Sequence, residues 1–298
     1  MRPILCFGEA LIDFHPEGKD ANGYSRAYVP FAGGAQANVA VAVAKLGGNA
    51  RFAGMLSEDR FGDFLLDSLE QAGVDTRHVV RTAEAPTALA FVTLDAHGER
   101  SFTFYRPPSA DMLFRPEHFQ AASFAESSLL HVCSLSMSEP ELADTTCDGM
   151  RRASAAGALV SFDLNLRPAR WGKTDARPVA WRALELADVV KLSAEELDFL
   201  AVDGEPAFID KLWQGQARLL VVTDAGEPLR WFSREAQGSL PSYAVKAVDS
   251  TGAGDAFVAG LLYQLAEQNL DAAGFDALVA DQPRLETTLR YAAACGAL

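Results

Sequence analysis

From residue 128 onward the chain alternates short apolar runs with longer amphipathic ones, and few architectures accept that rhythm. Residues 129–134, 158–163, 189–192 and 218–223 read as buried strands, and 139–155, 175–186 and 194–200 between them read as helices. Strands that alternate with helices predict a parallel sheet covered on both faces. Chemistry in such a sheet gathers at the carboxyl ends of the strands. Residues 228–232 and 239–248 are read as further strands. The N-terminal half keeps the rhythm: a strand over 4–14 that turns polar at Glu9 and Asp13, a short strand over 24–31, and a helix that Gly33-Gly34 opens and Gly47-Gly48 stops. A strand over 51–55 and an amphipathic helix over 61–72, ended by Gly73, follow. One stretch breaks the pattern. Residues 88–94 and 100–105 flank Asp95-Ala96-His97-Gly98-Glu99, a hairpin signal. An antiparallel piece inside an alternating chain predicts an appended flap.

Composition narrows the function classes. The chain has 298 residues, 49% of them hydrophobic, which suits one large core, and no repeat or linker divides it, so 1–298 is read as a single domain. A formal charge of −14 argues against sequence-independent nucleic-acid binding but leaves nucleotides open. No run reaches membrane-spanning length and no signal-like apolar block opens the chain. Cys6, Cys133, Cys147 and Cys295 form no C-x-x-C, which predicts reduced thiols and a cytoplasmic protein. The five histidines show no metal-ligand spacing.

The densest chemistry lies at Val248-Asp249-Ser250-Thr251-Gly252-Ala253-Gly254-Asp255. A strand-like run precedes it, and Phe257, Leu261, Leu262 and Leu265 follow at helical spacing. The glycines therefore sit where a loop becomes a helix start, with unpaired amides and partial positive charge. Without side chains, Gly252 and Gly254 let an anion approach those amides, which suits a phosphoryl group in transfer. Asp255 is expected to be ionised at neutral pH, and beside phosphate it makes more sense as a general base than as a binding group. A capping Asp is the alternative, and it leaves the two glycines unexplained. A dinucleotide fingerprint fails because it needs glycine at Phe257, and the Gly172-Lys173-Thr174 triplet fails as a P-loop because it needs glycine at Arg167.

Other polar residues collect at predicted strand ends. Asp13 closes the first, and Asp163, Asn165 and Arg167 close another. Alternate residues of an extended segment point the same way, so these three can converge on a polyhydroxylated ligand and a phosphate. A polar loop with an internal salt bridge fits the same residues. Asn38 lies early in the helix after Gly33-Gly34. Ser193 and Glu196 in Lys191-Leu192-Ser193-Ala194-Glu195-Glu196-Leu197 match a capping box.

Asp249-Ser250-Thr251-Gly252-Ala253-Gly254-Asp255-Ala256-Phe257 resembles the D-T-x-G-A-G-D-x-F signature of the ribokinase-like, or PfkB, carbohydrate kinases. Four further motifs follow the family's order across nearly the whole chain. The resemblance implies a three-layer α/β/α sandwich with a mainly parallel sheet and a small β lid drawn from about 14–31 and 87–111. It implies transfer of the ATP γ-phosphoryl group to a primary hydroxyl of a monosaccharide, fructose first and 2-keto-3-deoxygluconate second. A catalytically silent sensor on the same fold, or a nucleoside kinase, is the rival. Asp255 would be the base, with Gly252, Ala253 and Gly254 at the transferring phosphate. Asp13, Gly33, Gly34, Asn38, Arg106, Asp163, Asn165 and Arg167 would hold the sugar, with Arg106 on the flap. Lys191, Thr223, Gly226, Gly252 and Gly254 would face the nucleotide, Glu196 would act through water on Mg2+, and Asp249 would lie near a monovalent cation such as K+. Gln36 stands where many members have Pro. Ala225 and Pro228 replace two usual glycines, which touches the nucleotide-side loop. The chain stops at Leu298 in an apolar helical run, where members usually continue for a short segment. A homodimer through the lid follows from the same analogy.

Overall fold

The computed structural model describes residues 1–20, 22, 24–94, 100–106, 108–171, 174–245 and 251–298. Asp249, the turn over 95–99, Gly172-Lys173 and the end of the strand expected over 239–248 lie outside the described residues.

Thirteen strands form two sheets among the described residues: β1 (Ile4–Phe7), β2 (Leu11–Lys19), β3 (Ser25–Gly33), β4 (Ala50–Ser57), β5 (Asp75–Thr82), β6 (Leu89–Leu94), β7 (Arg100–Tyr105), β8 (Leu129–Cys133), β9 (Leu159–Asp163), β10 (Val189–Ser193), β11 (Leu219–Asp224), β12 (Glu227–Phe232) and β13 (Gln237–Leu240). The large sheet runs β13-β12-β11-β10-β9-β8-β1-β4-β5 and the small one β3-β2-β6-β7. From β11 to β5 all large-sheet pairs are parallel, and β12 and β13 add an antiparallel edge.

Both faces of the large sheet are covered, and the strands show why. Successive strand residues point to opposite faces. Ile4, Cys6, Val189, Leu219 and Val221 join one core with helices Ala35–Lys45, Ala253–Glu267 and Gln282–Gly296. Leu5, Phe7, Val190, Leu192, Leu220 and Val222 join the other with helices Pro140–Ala155, Arg177–Leu184 and Ala194–Leu200. Near-continuous apolar runs such as Leu219-Leu220-Val221-Val222 are therefore required. The result is the expected three-layer α/β/α sandwich. Strand order reverses at β1, which has β4 on one side and β8 on the other, so the crevice beyond their carboxyl ends is the natural ligand site.

Several elements depart from the sequence reading. The expected strand over 4–14 is two strands in two sheets, broken at Gly8-Glu9-Ala10. Gly8 still donates to the Ala53 carbonyl at 3.1 Å, while Ile12 donates to Ala88 at 3.0 Å in the small sheet. The break lets the buried Glu9 carboxylate accept the Ala35 amide at 3.0 Å. Asp13 therefore lies inside a small-sheet strand and does not close a core strand. The edge strand β5 escaped notice because Asp75, Arg77 and Arg81 make it half-exposed and charged. Of the run over 239–248, the described residues are strand only as far as Leu240.

Helix Ala253–Glu267 is apolar on nearly every side, with Phe257, Val258, Leu261, Leu262 and Leu265 buried. It packs between Ala35–Lys45 and Gln282–Gly296. Leu262→Ala, at a fully buried position, lowers the unfolding free energy by about 3 kcal/mol, read by urea denaturation; a loss under about 1 kcal/mol contradicts this packing.

Candidate active site

The tip of helix Ala253–Glu267 is built by one backbone conformation. Gly252 is the N-cap with φ 78°, left-handed, and it brings no capping side chain. The first-turn amides that follow have no intrahelical acceptor. Asp255 completes that first turn and is 8% exposed. Two amides from distant parts of the chain hold its carboxylate. Asn38 donates to Oδ2 at 2.8 Å and Asn165 donates to Oδ1 at 3.1 Å. Burial pushes the Asp255 carboxyl above its ordinary range, and Asn38, Arg167, Lys191 and Asn165 pull it back. The sequence reading took Asp255 as ionised at neutral pH, and the structure adds that burial opposes that form while oriented donors favour it. The ionised form is kept by oriented donors in a desolvated place.

Asn38 comes from helix Ala35–Lys45, which starts at Gly34. Gly34 has φ 106°, and a Cβ there would lie 2.6 Å from the Glu9 carbonyl oxygen, so only glycine fits. A Cβ on Gly33 would lie 2.0 Å from Asp13 Oδ2. Asp13 is partly buried, and desolvation raises its carboxyl to about 6 against the pull of Arg167. Asp255 and Asp13 act on each other's charge, as do Asp255 and Asp163.

Asp163, Asn165 and Arg167 do gather at this cleft, by a different route from the one expected. Strand β9 ends at Asp163, and Asn165 has φ 41°, so alternation stops and a left-handed turn aims the Asn165 amide at Asp255. Arg167 is exposed and its charge acts on both Asp13 and Asp255. Asp163 is 2% exposed and pairs across the sheet with Lys191, Nζ to Oδ1 3.2 Å. Desolvation lifts Asp163 to about 7 against the pull of Lys191, with Glu196 and Asp255 pushing it further. Burial opposes the Lys191 charge, but Asp163 and Glu196 outweigh it and the ammonium is held protonated. A Cβ on Gly254 would lie 3.5 Å from Lys191 Nζ, so the cation stands directly under the helix tip.

Glu196 completes the capping box: Oε2 accepts from the Ser193 amide at 2.8 Å, and Ser193 Oγ accepts from the Glu196 amide at 3.1 Å. Its other oxygen accepts from the Leu166 amide at 2.7 Å, which fixes the turn carrying Asn165. Arg106 does not sit on the free part of the flap. It lies just past β7, 1% exposed, with Nε on Asp111 at 2.6 Å and Nη1 on the Leu135 carbonyl and Ser138 hydroxyl. Burial of a cation demands such partners, so Arg106 is structural here. Thr223 is partly exposed at the end of β11, and Gly226 sits in the exposed turn to β12. Ala225, in a usual glycine position, keeps the left-handed shape with φ 42°, at a cost of about 1 kcal/mol.

Two roles were not legible in advance. Asn38 and Asn165, assigned to the sugar by the resemblance, each also orient Asp255; only the fold brings residues 38, 165 and 255 together. Asp163→Asn strands the buried Lys191 ammonium and costs about 3 kcal/mol of stability. Lys191→Met costs less, because Asp163 can take a proton. In that variant the native carboxyl titrates above its unfolded value, so the native state binds more protons and stability falls as pH rises through the folded pKa. Urea unfolding at pH 6 and pH 8 checks both; a Lys191→Met cost that shrinks at pH 8 contradicts them.

Residues 1–298 match the model of the pfkB family carbohydrate kinases. Fructokinase-1 of Oryza sativa subsp. japonica is 42% identical over 299 residues, covering 99% of this chain and 90% of the rice protein. The crystal structure of a Xylella fastidiosa fructokinase with bound ATP superposes with a TM-score of 0.95 at 55% identity, covering 99% of this chain and 91% of that one. The Vibrio cholerae O395 fructokinase, in a form with fructose, ADP and calcium ion bound, gives 0.86 at 35% identity over 100% of this chain and 92% of that one. The chain belongs to the pfkB family of carbohydrate kinases.

Proposed function

We propose that the protein is an ATP-dependent fructokinase and that Asp255 is its base. The observation that carries the reading is the buried Asp255 carboxylate, held by two amides at an uncapped helix tip. The sugar enters the cleft between the two sheets, beside Asp13, Gly33, Gly34 and Asn38. Its primary hydroxyl oxygen bonds to the γ-phosphorus of ATP as the bond to the β-phosphate oxygen breaks. The hydroxyl proton passes to Asp255, and sugar phosphate and ADP leave. The amides following Gly252 and the Lys191 ammonium face the charge on the transferring group. A pure sugar sensor has no use for an oriented buried carboxylate, which favours the enzyme over the silent rival.

Among the described residues, no group of three or more His, Cys, Asp or Glu could hold a metal ion. By family resemblance Glu196 is assigned to act through water on a Mg2+ that would arrive on ATP, keep its waters and offset phosphate charge. Thr223 and Gly226 are assigned to the nucleotide side, and Asp249 to a monovalent cation, by family resemblance.

The same reading takes the small sheet as a lid. Tyr28 at 37%, Phe31 at 51% and Tyr105 at 65% exposure leave aromatic surface on it, which supports a homodimer through the lid. No described helix is long and apolar enough to cross a membrane. With four free thiols, a cytoplasmic setting is the assignment, and the net charge of −14 argues against a nucleic-acid partner.

ADP release with ATP·Mg2+ and fructose, 2-keto-3-deoxygluconate, ribose or adenosine tests the substrate. The highest kcat/KM is expected for fructose; preference for another acceptor overturns that choice. Asp255→Asn lowers kcat by about 10³-fold or more while leaving fructose affinity within threefold. Turnover near wild type in that variant would refute the mechanism.

A further inference from the structure

Four crossings join the small sheet to the large one. They are Gly8-Glu9-Ala10 between β1 and β2, Gly34 between β3 and helix Ala35–Lys45, residues 83–88 between β5 and β6, and the stretch after β7 that starts at Arg106. Three of the four meet at one buried carboxylate, that of Glu9.

Glu9 is 1% exposed. Its Oε1 accepts from the Ala35 amide at 3.0 Å, the first amide of the helix that carries Asn38. Gln36, fully buried, lies beside it. With its amide orientation assigned from its neighbours, the Gln36 nitrogen donates to the two Glu9 oxygens at 3.1 and 3.0 Å and its oxygen accepts from the Cys133 amide at 2.8 Å. The Arg106 guanidinium, itself held by Asp111, and the Glu9 carboxylate act on each other's charge. Backbone contact tightens the knot, since a Cβ on Gly34 would lie 2.9 Å from the Ala10 Cα, and one on Gly8 would lie 2.9 Å from the Gln36 side chain.

Among the described residues, the hydrogen-bond partners of the Asp255 carboxylate are Asn38 and Asn165, and neither belongs to this cluster. It fixes the pieces on either side of Asp13 and Asn38. Ala10 leads into the strand of Asp13, and Ala35 opens the helix one turn before Asn38. A carboxylate buried among amides, with a guanidinium's charge acting on it, is an anchor with a defined direction, because the Ala35 amide holds Oε1 and the Gln36 nitrogen spans both oxygens. Burial raises the Glu9 carboxyl to about 7 against the pull of Arg106, and removing its ionised form leaves a buried arginine less balanced and the helix start without its anionic cap.

We infer that Glu9, braced by Gln36 and Arg106, is a positioning residue for the sugar: it sets the small sheet and the start of helix Ala35–Lys45 at the separation that lets Asp13 and Asn38 bind one ligand together. The inference rests on the reading that this cleft binds a sugar. It makes Gln36 a working part of the site in this chain.

The test is fructose binding by calorimetry without nucleotide, together with KM for fructose and for ATP, on wild type, Glu9→Gln and Gln36→Ala. Glu9→Gln keeps the size and removes the charge. The expected result is a tenfold or greater loss of fructose affinity, a matching rise in KM for fructose, and KM for ATP within twofold. Gln36→Ala moves the same quantities in the same direction by threefold or more. A merely structural role lowers the folded fraction, and with it kcat and the binding stoichiometry, while leaving both KM values unchanged. If folded Glu9→Gln binds fructose within twofold of wild type, or weakens fructose and ATP equally, the inference is overturned. Should Glu9→Gln not fold, Gln36→Ala decides alone, and fructose affinity within twofold overturns it. Failure of wild type to bind fructose sinks the functional reading instead.

Discussion

One hydrogen-bonded carboxylate ties the layers of this molecule together. Asp255 comes from a helix buried on nearly every side, Asn38 from the neighbouring helix, and Asn165 from the turn after β9. An isolated carboxylate in that place would take up a proton, because desolvation disfavours charge. The amides reverse part of that penalty only if all three elements are in register. The position of helix Ala253–Glu267, the left-handed turn at Asn165 and the glycine entry to helix Ala35–Lys45 therefore serve one requirement.

The surrounding charges are arranged as a compromise. Asp255 stands close enough to raise both Asp13 and Asp163, and Lys191 and Arg167 are the cations that offset these carboxyls. Carboxyls pushed upward can give or take a proton near neutral pH, which a surface aspartate cannot do. The two cations differ in setting. Lys191 is buried beside Asp163 and fixed beneath Gly254, whereas Arg167 is exposed at the cleft. In the proposed mechanism a phosphate would add negative charge beside Asp255, and a fixed ammonium would limit what that costs.

Much of the fold was legible because burial leaves a mark on composition. Parallel strands enclosed on both faces must read as unbroken apolar runs, and helix Ala194–Leu200 began where the capping box put it. What escaped was decided by distant partners. Nothing local marks Gly8-Glu9-Ala10 as a break, since the reason for it lies at Ala35 and Gln36. Arg106 reads as a flap residue until Asp111, Leu135 and Ser138 are seen to enclose it. In the site, residue identities were readable and their assignments were less so, because Asn38 and Asn165 meet Asp255 only in three dimensions.

The account stands on the Asp255 carboxylate being the group whose ionisation gates turnover, tuned by its amide donors. The direct measurement is the pH dependence of kcat at saturating fructose and ATP, for wild type and Asn165→Ala. Asn165 favours the ionised form, so its loss is predicted to move the acid limb of the profile to higher pH, from a wild-type midpoint already above the ordinary aspartate value of about 4. An acid limb that stays in place, or moves to lower pH, contradicts the account.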